Sequence, residues 1–168
     1  MSGLTRLRAS AALAALLALI VIGCTSTPPQ RTPPVGSLPD PVVIMPASAL
    51  AALFGGATLG EPSCRYAESN YRCTWADAGS PARELTVTIY ADTVRVTSEI
   101  SRPTARSVSV PGAGSAAVVT SAAQVEAWAV VGERGLQLSF TPGAGDPAAH
   151  EAALLVVAAA LAAAMGGG

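Results

Sequence analysis

The apolar stretch near the N-terminus limits how much of this 168-residue chain folds as a domain, and in which compartment it does so. Arg6 and Arg8 precede an apolar run over residues 9–22, which is too short to span a bilayer but has the length of a signal-peptide core. The run ends in Val21-Ile22-Gly23-Cys24, the layout of a bacterial lipoprotein signal. We therefore predict a signal peptide over residues 1–23.

Cys24 is the predicted lipidation site. After cleavage its thiol would carry a diacylglyceryl group, and two acyl chains anchor a protein durably, at about 0.8 kcal/mol per buried CH2. The alternative is an ordinary secretory signal with an unmodified cysteine nearby. Lipidation predicts a mature chain that is tethered, not inserted, at the extracytoplasmic face of the cell membrane.

Residues 24–41 are predicted to be the lipidated cysteine and a proline-rich linker. The linker contains six prolines, which disfavour helix, and little that a core would bury. At about 3.1 Å per residue it would hold a domain roughly 50 Å from the bilayer. Residues 42–168 then suffice for one compact domain and are too few for two ordinary ones.

Export predicts an oxidising environment, in which Cys64 and Cys73 are interpreted as a disulfide and not as metal ligands. Without the signal, eight arginines and no lysine stand against eleven acids, a net charge of about −3. The sequence contains no basic cluster of the kind that predicts nucleic-acid binding.

A short helix is predicted over residues 46–54, and a longer one is predicted to be capped by Asp146, to begin at Pro147 and to run to about residue 165. The 14 apolar residues over 152–165 raise the possibility of a second membrane anchor, which their length and alanine content disfavour. The larger side chains instead form one stripe suited to packing on a sheet: Leu154, Val157, Leu161 and Met165.

Between the helices, apolar and polar residues alternate with the period of half-buried strands. The predicted fold class is therefore α+β, with a largely antiparallel sheet and both helices packed on one of its faces. The segment 94–100 is left as strand or helix, because Val96 and Ile100 also fit one helical turn. The candidate strands are 62–67, 71–76, 84–90, 94–100, 107–110, 116–120, 125–131 and 135–141.

Pairing of Cys64 with Cys73 predicts the register of a first hairpin. Arg65 then faces Arg72, and the cysteines form a non-hydrogen-bonded pair about 4.5 Å apart at Cα, within disulfide range. The face that carries the cysteines is predicted to be core. The facing arginines are mildly unfavourable unless an acid such as Glu84 lies alongside.

A second hairpin is predicted to turn at residues 132–135, which would place Val131, Ala129 and Ala127 opposite Leu136, Leu138 and Phe140. The opposite face of its first strand carries Trp128, Val130 and Glu126. Trp128 is interpreted either as the anchor of a binding surface or, more in keeping with the usual burial of large aromatics, as a residue covered by the short first helix.

The residue types that carry catalysis are scarce. His150 is the only histidine and is predicted to lie on the surface of the last helix, so we predict no metal site and no catalytic residues. The segment 112–117 imitates a dinucleotide-binding turn, but Pro111 interrupts the approach and no βαβ unit follows. A glycine turn into a strand is predicted there, and no cofactor.

The order of these features resembles a family of small actinobacterial, mycobacterial-type envelope lipoproteins with a domain of unknown function. The resemblance rests on the cysteine hairpin with Cys73-Thr74-Trp75, the turn over 110–117, the second hairpin and the terminal Ala/Leu helix. Members often carry an acid where Ser115 stands here. The resemblance implies an α+β envelope domain without established catalytic residues.

Function is therefore predicted as non-enzymatic binding by a lipid-anchored envelope domain. Its partners would be the membrane, through the anchor, and an unidentified envelope protein or small ligand on the Trp128 side of the sheet. Two alternatives stay open: an envelope hydrolase that uses carboxylates alone, and a structural subunit of an envelope complex.

Overall fold

The computed structural model describes residues 38–166, so the predicted signal peptide, Cys24 and most of the linker lie outside the described residues. In chain order the elements are α1 (Pro41–Ile44), α2 (Ala47–Leu53), β1 (Ser63–Ala67), β2 (Asn70–Ala76), β3 (Glu84–Tyr90), α3 (Val94–Ile100), β4 (Arg106–Ser107), β5 (Ser115–Thr120), β6 (Val125–Val131), β7 (Arg134–Thr141), a 3-10 turn (Pro147–His150) and α4 (Glu151–Gly166).

The strands form one seven-stranded sheet in the order β1-β2-β3-β7-β6-β5-β4, and every pair of neighbours is antiparallel. The predicted α+β class with an antiparallel sheet is confirmed. Alternation places one side chain in two on the inner face, where α4 packs on β6 and β7, α1 packs on β2 and β3, and α2 packs beside α4. Its centre is made by fully buried side chains: Leu85, Val87, Ile89, Leu136, Leu138 and Phe140.

The terminal helix begins as predicted, because the Asp146 carboxylate accepts the backbone N–H of Ala148 at 3.0 Å. With its 3-10 turn the segment Pro147–Gly166 has 20 residues and is long and apolar enough to cross a membrane by length and composition. In the fold, the predicted stripe packs on the sheet: Leu154, Val157 and Leu161 have no exposed surface, and Met165 is buried.

The first hairpin has the predicted register. The Sγ atoms of Cys64 and Cys73 lie 2.11 Å apart, at disulfide distance, and their Cα atoms 4.1 Å apart. Arg65 pairs with Arg72 across the strands. Glu84 does not lie beside them: it pairs with Ala76, four residues further along β2 from Arg72.

The second hairpin differs from its prediction by two residues. Its loop is Gly132-Glu133, so Ala129 pairs with Leu136 and Ala127 with Leu138. Two-residue loops match the right-handed twist of the strands, and Gly132 supplies the positive φ, +60°, that such a loop requires. A slip of two residues keeps every side chain on its predicted face.

The ambiguous segment 94–100 is the helix α3. The Asp92 carboxylate accepts the N–H of Val94 at 3.0 Å at its start, and Val96 and Glu99, three residues apart, are buried. Unlike α2 and α4, this helix packs on the outer face of the sheet, against β5, β6 and β7. The prediction of helices on one face alone is therefore incomplete. β4 (Arg106–Ser107) shares only Ser107 with the strand predicted over 107–110.

The packed domain includes residues that the sequence analysis assigned to the linker. Leu38 and Pro41 are buried, and the Asp40 carboxylate caps α1 by accepting the N–H of Val42 at 2.9 Å. At the other end of the sheet, Gly112 forms the turn that leads to β5. Its φ of +85° and its approach to α4, where a Cβ would lie 3.2 Å from the Ala163 nitrogen, account for the glycine.

Candidate functional site

The outer face of the sheet has a covered half and an uncovered half. α3 packs mainly on β5, β6 and β7, and its main contacts do not include the outer sides of β1, β2 and β3. We call the uncovered region the open face. It comprises the outer side chains of β1 to β3 and, beside them, three half-buried outer side chains of β7 and β6. These residues are Ser63, Arg65, Arg72, Thr74, Thr86, Thr88, Gln137, Ser139 and Glu126.

Hydrogen bonds between neighbouring strands organise the open face. The Arg72 Nε donates to the Thr88 hydroxyl at 3.2 Å, and the Thr74 and Thr86 hydroxyls share a bond of 3.0 Å. Thr88 is buried, at 1% exposure. The partners are cross-strand neighbours, so the register itself brings them together. The Arg72 side chain is thereby held against the sheet.

A second chain of hydrogen bonds runs toward β6. The Tyr90 hydroxyl donates to Gln137 Oε1 at 2.8 Å, and Gln137 Nε2 donates to Glu126 Oε1 at 3.4 Å. Burial raises the pKa of Tyr90, and the positive charges of Arg95 and Arg72 oppose that shift only in part. The phenol is therefore a stable donor near neutral pH.

Arg65 and Arg72 concentrate positive charge at one end of the open face. They pair directly across β1 and β2, and both are exposed. Four other arginines between residues 38 and 166 form ion pairs with carboxylates. Within that range neither Arg65 nor Arg72 has a carboxylate within 4.0 Å.

A solvent-open groove of about 640 Å³ continues the open face at its other end. Ser63 and Thr74 belong to both. The groove contains three acids, Glu61, Asp77 and Glu84. The outer side of β1 to β3 thus carries carboxylates at one end, hydroxyls in the middle and guanidinium groups at the other end. Along β3 the distance from Glu84 to Thr88, which pairs with Arg72, is four residues, about 13 Å.

Asp77 is bound within the protein. Its carboxylate accepts the N–H groups of Gly79 and Arg83 at 3.0 and 2.9 Å, and the Arg83 Nε lies 2.6 Å from it. These bonds to Arg83 lower the pKa of the carboxyl below its ordinary value. The same guanidinium lies 6.0 Å from the centre of the Phe54 ring. Asp77 therefore orders the β2–β3 loop, and its partner Arg83 connects that loop to Phe54 at the end of α2.

The predicted surface around Trp128 is largely covered. Trp128 is 2% exposed, and its element β6 lies under α3; the short first helix, which was predicted to cover it, lies on the opposite face. Its Nε1 has no hydrogen-bond partner within the described chain. Val130 and Glu126 are half-buried, and only Glu126 belongs to the open face. Trp128 is therefore not an exposed anchor.

The other predicted site residues lie apart from the open face. His150 is half-buried, with its ring centre 5.0 Å from that of Phe140, so it packs on the core more closely than a surface residue. Cys64 and Cys73 are on the inner face. Cys24 lies outside the described residues. Between residues 38 and 166 there is no group of three or more His, Cys, Asp or Glu side chains placed to hold a metal ion.

Sequence reasoning located the facing arginines but did not interpret them as a site. The available signal was the alternation on β2 and β3, where Arg72, Thr74, Thr86 and Thr88 occupy the positions between core residues. The chain matches no protein-family model, and no curated protein and no solved structure is significantly similar to it. The resemblance to actinobacterial envelope lipoproteins stays a prediction.

Proposed function

We propose that this protein is a lipid-anchored envelope protein that binds a polar partner, without catalysis, through the open face. The observation that carries the proposal is a sheet face that one helix covers over β5 to β7 but not over β1 to β3. The open face presents hydroxyl and guanidinium groups on β2 and β3 and the Gln137 amide on the adjoining β7, all in defined orientations. Such groups recognise polar ligands by complementary hydrogen bonds.

The bonding of the open face supports binding over catalysis. A catalytic acid or base needs a pKa tuned to its task and a free path to its substrate. Here the Thr74 and Thr86 hydroxyls bond to each other, and Gln137 bonds to Tyr90 and Glu126. These side chains form a rigid polar surface, which favours recognition.

The anchor is supported by the sequence alone. Val21-Ile22-Gly23-Cys24 provides the lipidation signal, and the proline-rich segment provides the reach to hold the domain away from the bilayer. An anchored domain with one uncovered polar face is suited to a partner within the envelope.

A photo-crosslinking residue at Thr86, at the centre of the open face, tests this proposal in cells that produce the full chain. The matched control carries the same residue at Val156, which is 60% exposed on α4 at the opposite side of the sheet. We expect a discrete crosslinked product from position 86 and none from position 156. Equal products from both positions, or none from position 86, would contradict the proposal.

The groove supports a second candidate, a hydrolase that uses carboxylates, because Glu61, Asp77 and Glu84 line it together. Against this candidate, Asp77 forms an ion pair with Arg83 and its pKa is lowered. A carboxyl group that stays ionised is a poor general acid. We expect Glu61→Gln and Glu84→Gln to leave crosslinking at position 86 unchanged. The partner identified by crosslinking can then be incubated with the uncrosslinked proteins. Its hydrolysis by the wild-type chain but not by these variants would favour the hydrolase.

A further inference from the structure

We infer that Arg65 and Arg72 together bind a phosphate-type oxyanion. This inference rests on the proposed function, because it assigns the chemistry of one end of the open face. Their juxtaposition follows from the register of the first hairpin, in which the two residues pair directly across β1 and β2. Both side chains extend from the outer face, because both alternate with residues of the buried face.

The spacing suits a single anion between two guanidinium groups. Arg65 and Arg72 form a hydrogen-bonded pair, since Cys64 and Cys73 beside them form the close, non-hydrogen-bonded one. The Cα atoms of such a pair are about 5.5 Å apart. Two parallel side chains at that distance reach the same ligand group.

The positive charge at this position lacks an internal counter-charge. Within residues 38–166 no carboxylate lies within 4.0 Å of either guanidinium, although four of the other described arginines have one. Like charges directly opposite each other destabilise a strand pair. An oxyanion bound between them converts that repulsion into two attractive contacts.

Arg72 is also oriented before any ligand arrives. Its Nε donates to Thr88, a residue with 1% exposure, and the guanidinium also lies close enough to the Tyr90 hydroxyl to oppose the rise in the pKa of that group, so Arg72 is oriented against the sheet. Because a guanidinium has five N–H donors, the others stay available for a ligand. Preorganisation of this kind lowers the entropic cost of binding.

Charge and donor count favour phosphate over carboxylate. One guanidinium fork already satisfies a carboxylate, with its two oxygens and single charge. Two forks carry two positive charges, which match a phosphate monoester with three acceptor oxygens and a charge of about −1.5 to −2. Arginine is also the residue best shaped for bidentate phosphate contacts.

The test is a titration of the full chain with inorganic phosphate at constant ionic strength, with chloride as the balancing anion. The readout is the Nε–Hε resonances of the arginines by NMR. We expect saturable shifts at Arg65 and Arg72, and an affinity at least about tenfold lower for Arg65→Gln and for Arg72→Gln, as expected for loss of a charge-assisted bond. Arg72→Lys, which keeps the charge and loses the fork, should also bind more weakly.

Arg134→Gln is the matched control, because Arg134 is a single arginine without an ion-pair partner among the described residues, at the loop of the other hairpin. It should bind phosphate as the wild type does. Equal losses in Arg134→Gln, unchanged affinity in the Arg65 and Arg72 variants, or equal shifts with chloride would overturn the inference.

A parallel arm uses vesicles of phosphatidylglycerol in phosphatidylcholine. Vesicle binding that inorganic phosphate displaces supports a lipid headgroup as the source of the oxyanion, and phosphate binding without vesicle binding supports a soluble source. The inference is wrong and the proposed function stands if two results are found together. Phosphate produces no shifts, and the crosslink from position 86 persists both in the wild type and in the Arg65→Gln/Arg72→Gln double variant. If the otherwise wild-type chain gives no crosslink from position 86, both the proposed function and this inference are wrong.

Discussion

At the scale of single residues, the facing arginines allow a test that needs no ligand. Arg65→Thr removes the repulsion with Arg72 and adds a residue with high strand propensity, so the free energy of unfolding should rise by about 0.2–1 kcal/mol at low salt. Screening should reduce the electrostatic part of this gain at about 1 M salt, where the Debye length is about 3 Å. Urea unfolding at both salt concentrations measures it, with Arg134→Thr as the control. Lower stability of Arg65→Thr at low salt would contradict the argument.

Asp77 is the residue from which we expect acid sensitivity. Its folded-state pKa is lowered, chiefly by the N–H and guanidinium of Arg83, relative to about 3.9 in an unfolded chain. The stability it contributes is therefore present above the unfolded pKa and is lost as the pH falls through the folded one. The thermal midpoint of Asp77→Asn should be below that of the wild type at neutral pH and should decline less between about pH 4 and pH 2. Glu133→Gln, in an exposed hairpin loop, should follow the wild-type profile.

The position of Arg65 could be predicted from the sequence, whereas the role of Asp77 could not. The facing of Arg65 and Arg72 follows from the pairing of Cys64 with Cys73, because one pair determines the register of a whole hairpin. The role of Asp77 depends on the shape of the loop over 77–83, in which no periodic pattern indicates what the carboxylate will bind. Local alternation predicts which face a side chain occupies, and only the folded loop determines its partner.

At the scale of elements, α3 shows where the pattern was insufficient. Its sequence alternates as a strand would and contains β-branched residues, yet Val96 and Glu99 also fit one side of a helix. The deciding residue lies 39 positions from Val96, at Gly135, whose lack of a side chain lets α3 approach β7. The two-residue error in the register of the second hairpin could not be detected from the alternation either, because a shift of two residues keeps every side chain on the same face.

Gly135→Ala tests the packing of α3. A Cβ there would lie 2.5 Å from Val96 Cγ2 and 3.0 Å from the Asp92 carbonyl oxygen, so α3 must shift. We expect a loss of about 1–3 kcal/mol in the free energy of unfolding. Trp128 should become more accessible to acrylamide quenching, measured in a Trp75→Phe background. Gly114→Ala is the matched control, because its nearest Cβ contact would be an ordinary 3.9 Å. Unchanged quenching in Gly135→Ala would show that α3 does not cover Trp128.

At the scale of the whole molecule, the sheet separates two different surfaces. The inner side carries α1, α2 and α4, and the described chain begins at Leu38 beside α1. The outer side carries α3 and the open face. The sequence predicted the helical inner layer because α2 and α4 each have an apolar stripe. It did not predict the divided outer face, because that division depends on where α3 returns to the sheet.

Attachment of this molecule to the membrane should depend on Cys24. Two acyl chains provide durable anchoring, whereas α4, although apolar enough to cross a bilayer, has its stripe at Leu154, Val157 and Leu161 buried against the sheet. Cys24→Ala should therefore move the chain from the membrane fraction to the soluble one. We expect Val156→Glu, on the exposed side of α4, to leave fractionation unchanged, because in the proposed arrangement the acyl chains and not α4 attach the protein. If Cys24→Ala stays with membranes and the addition of Val156→Glu releases it, α4 and not the lipid attaches the protein, and the orientation of the open face in the envelope must be derived from α4.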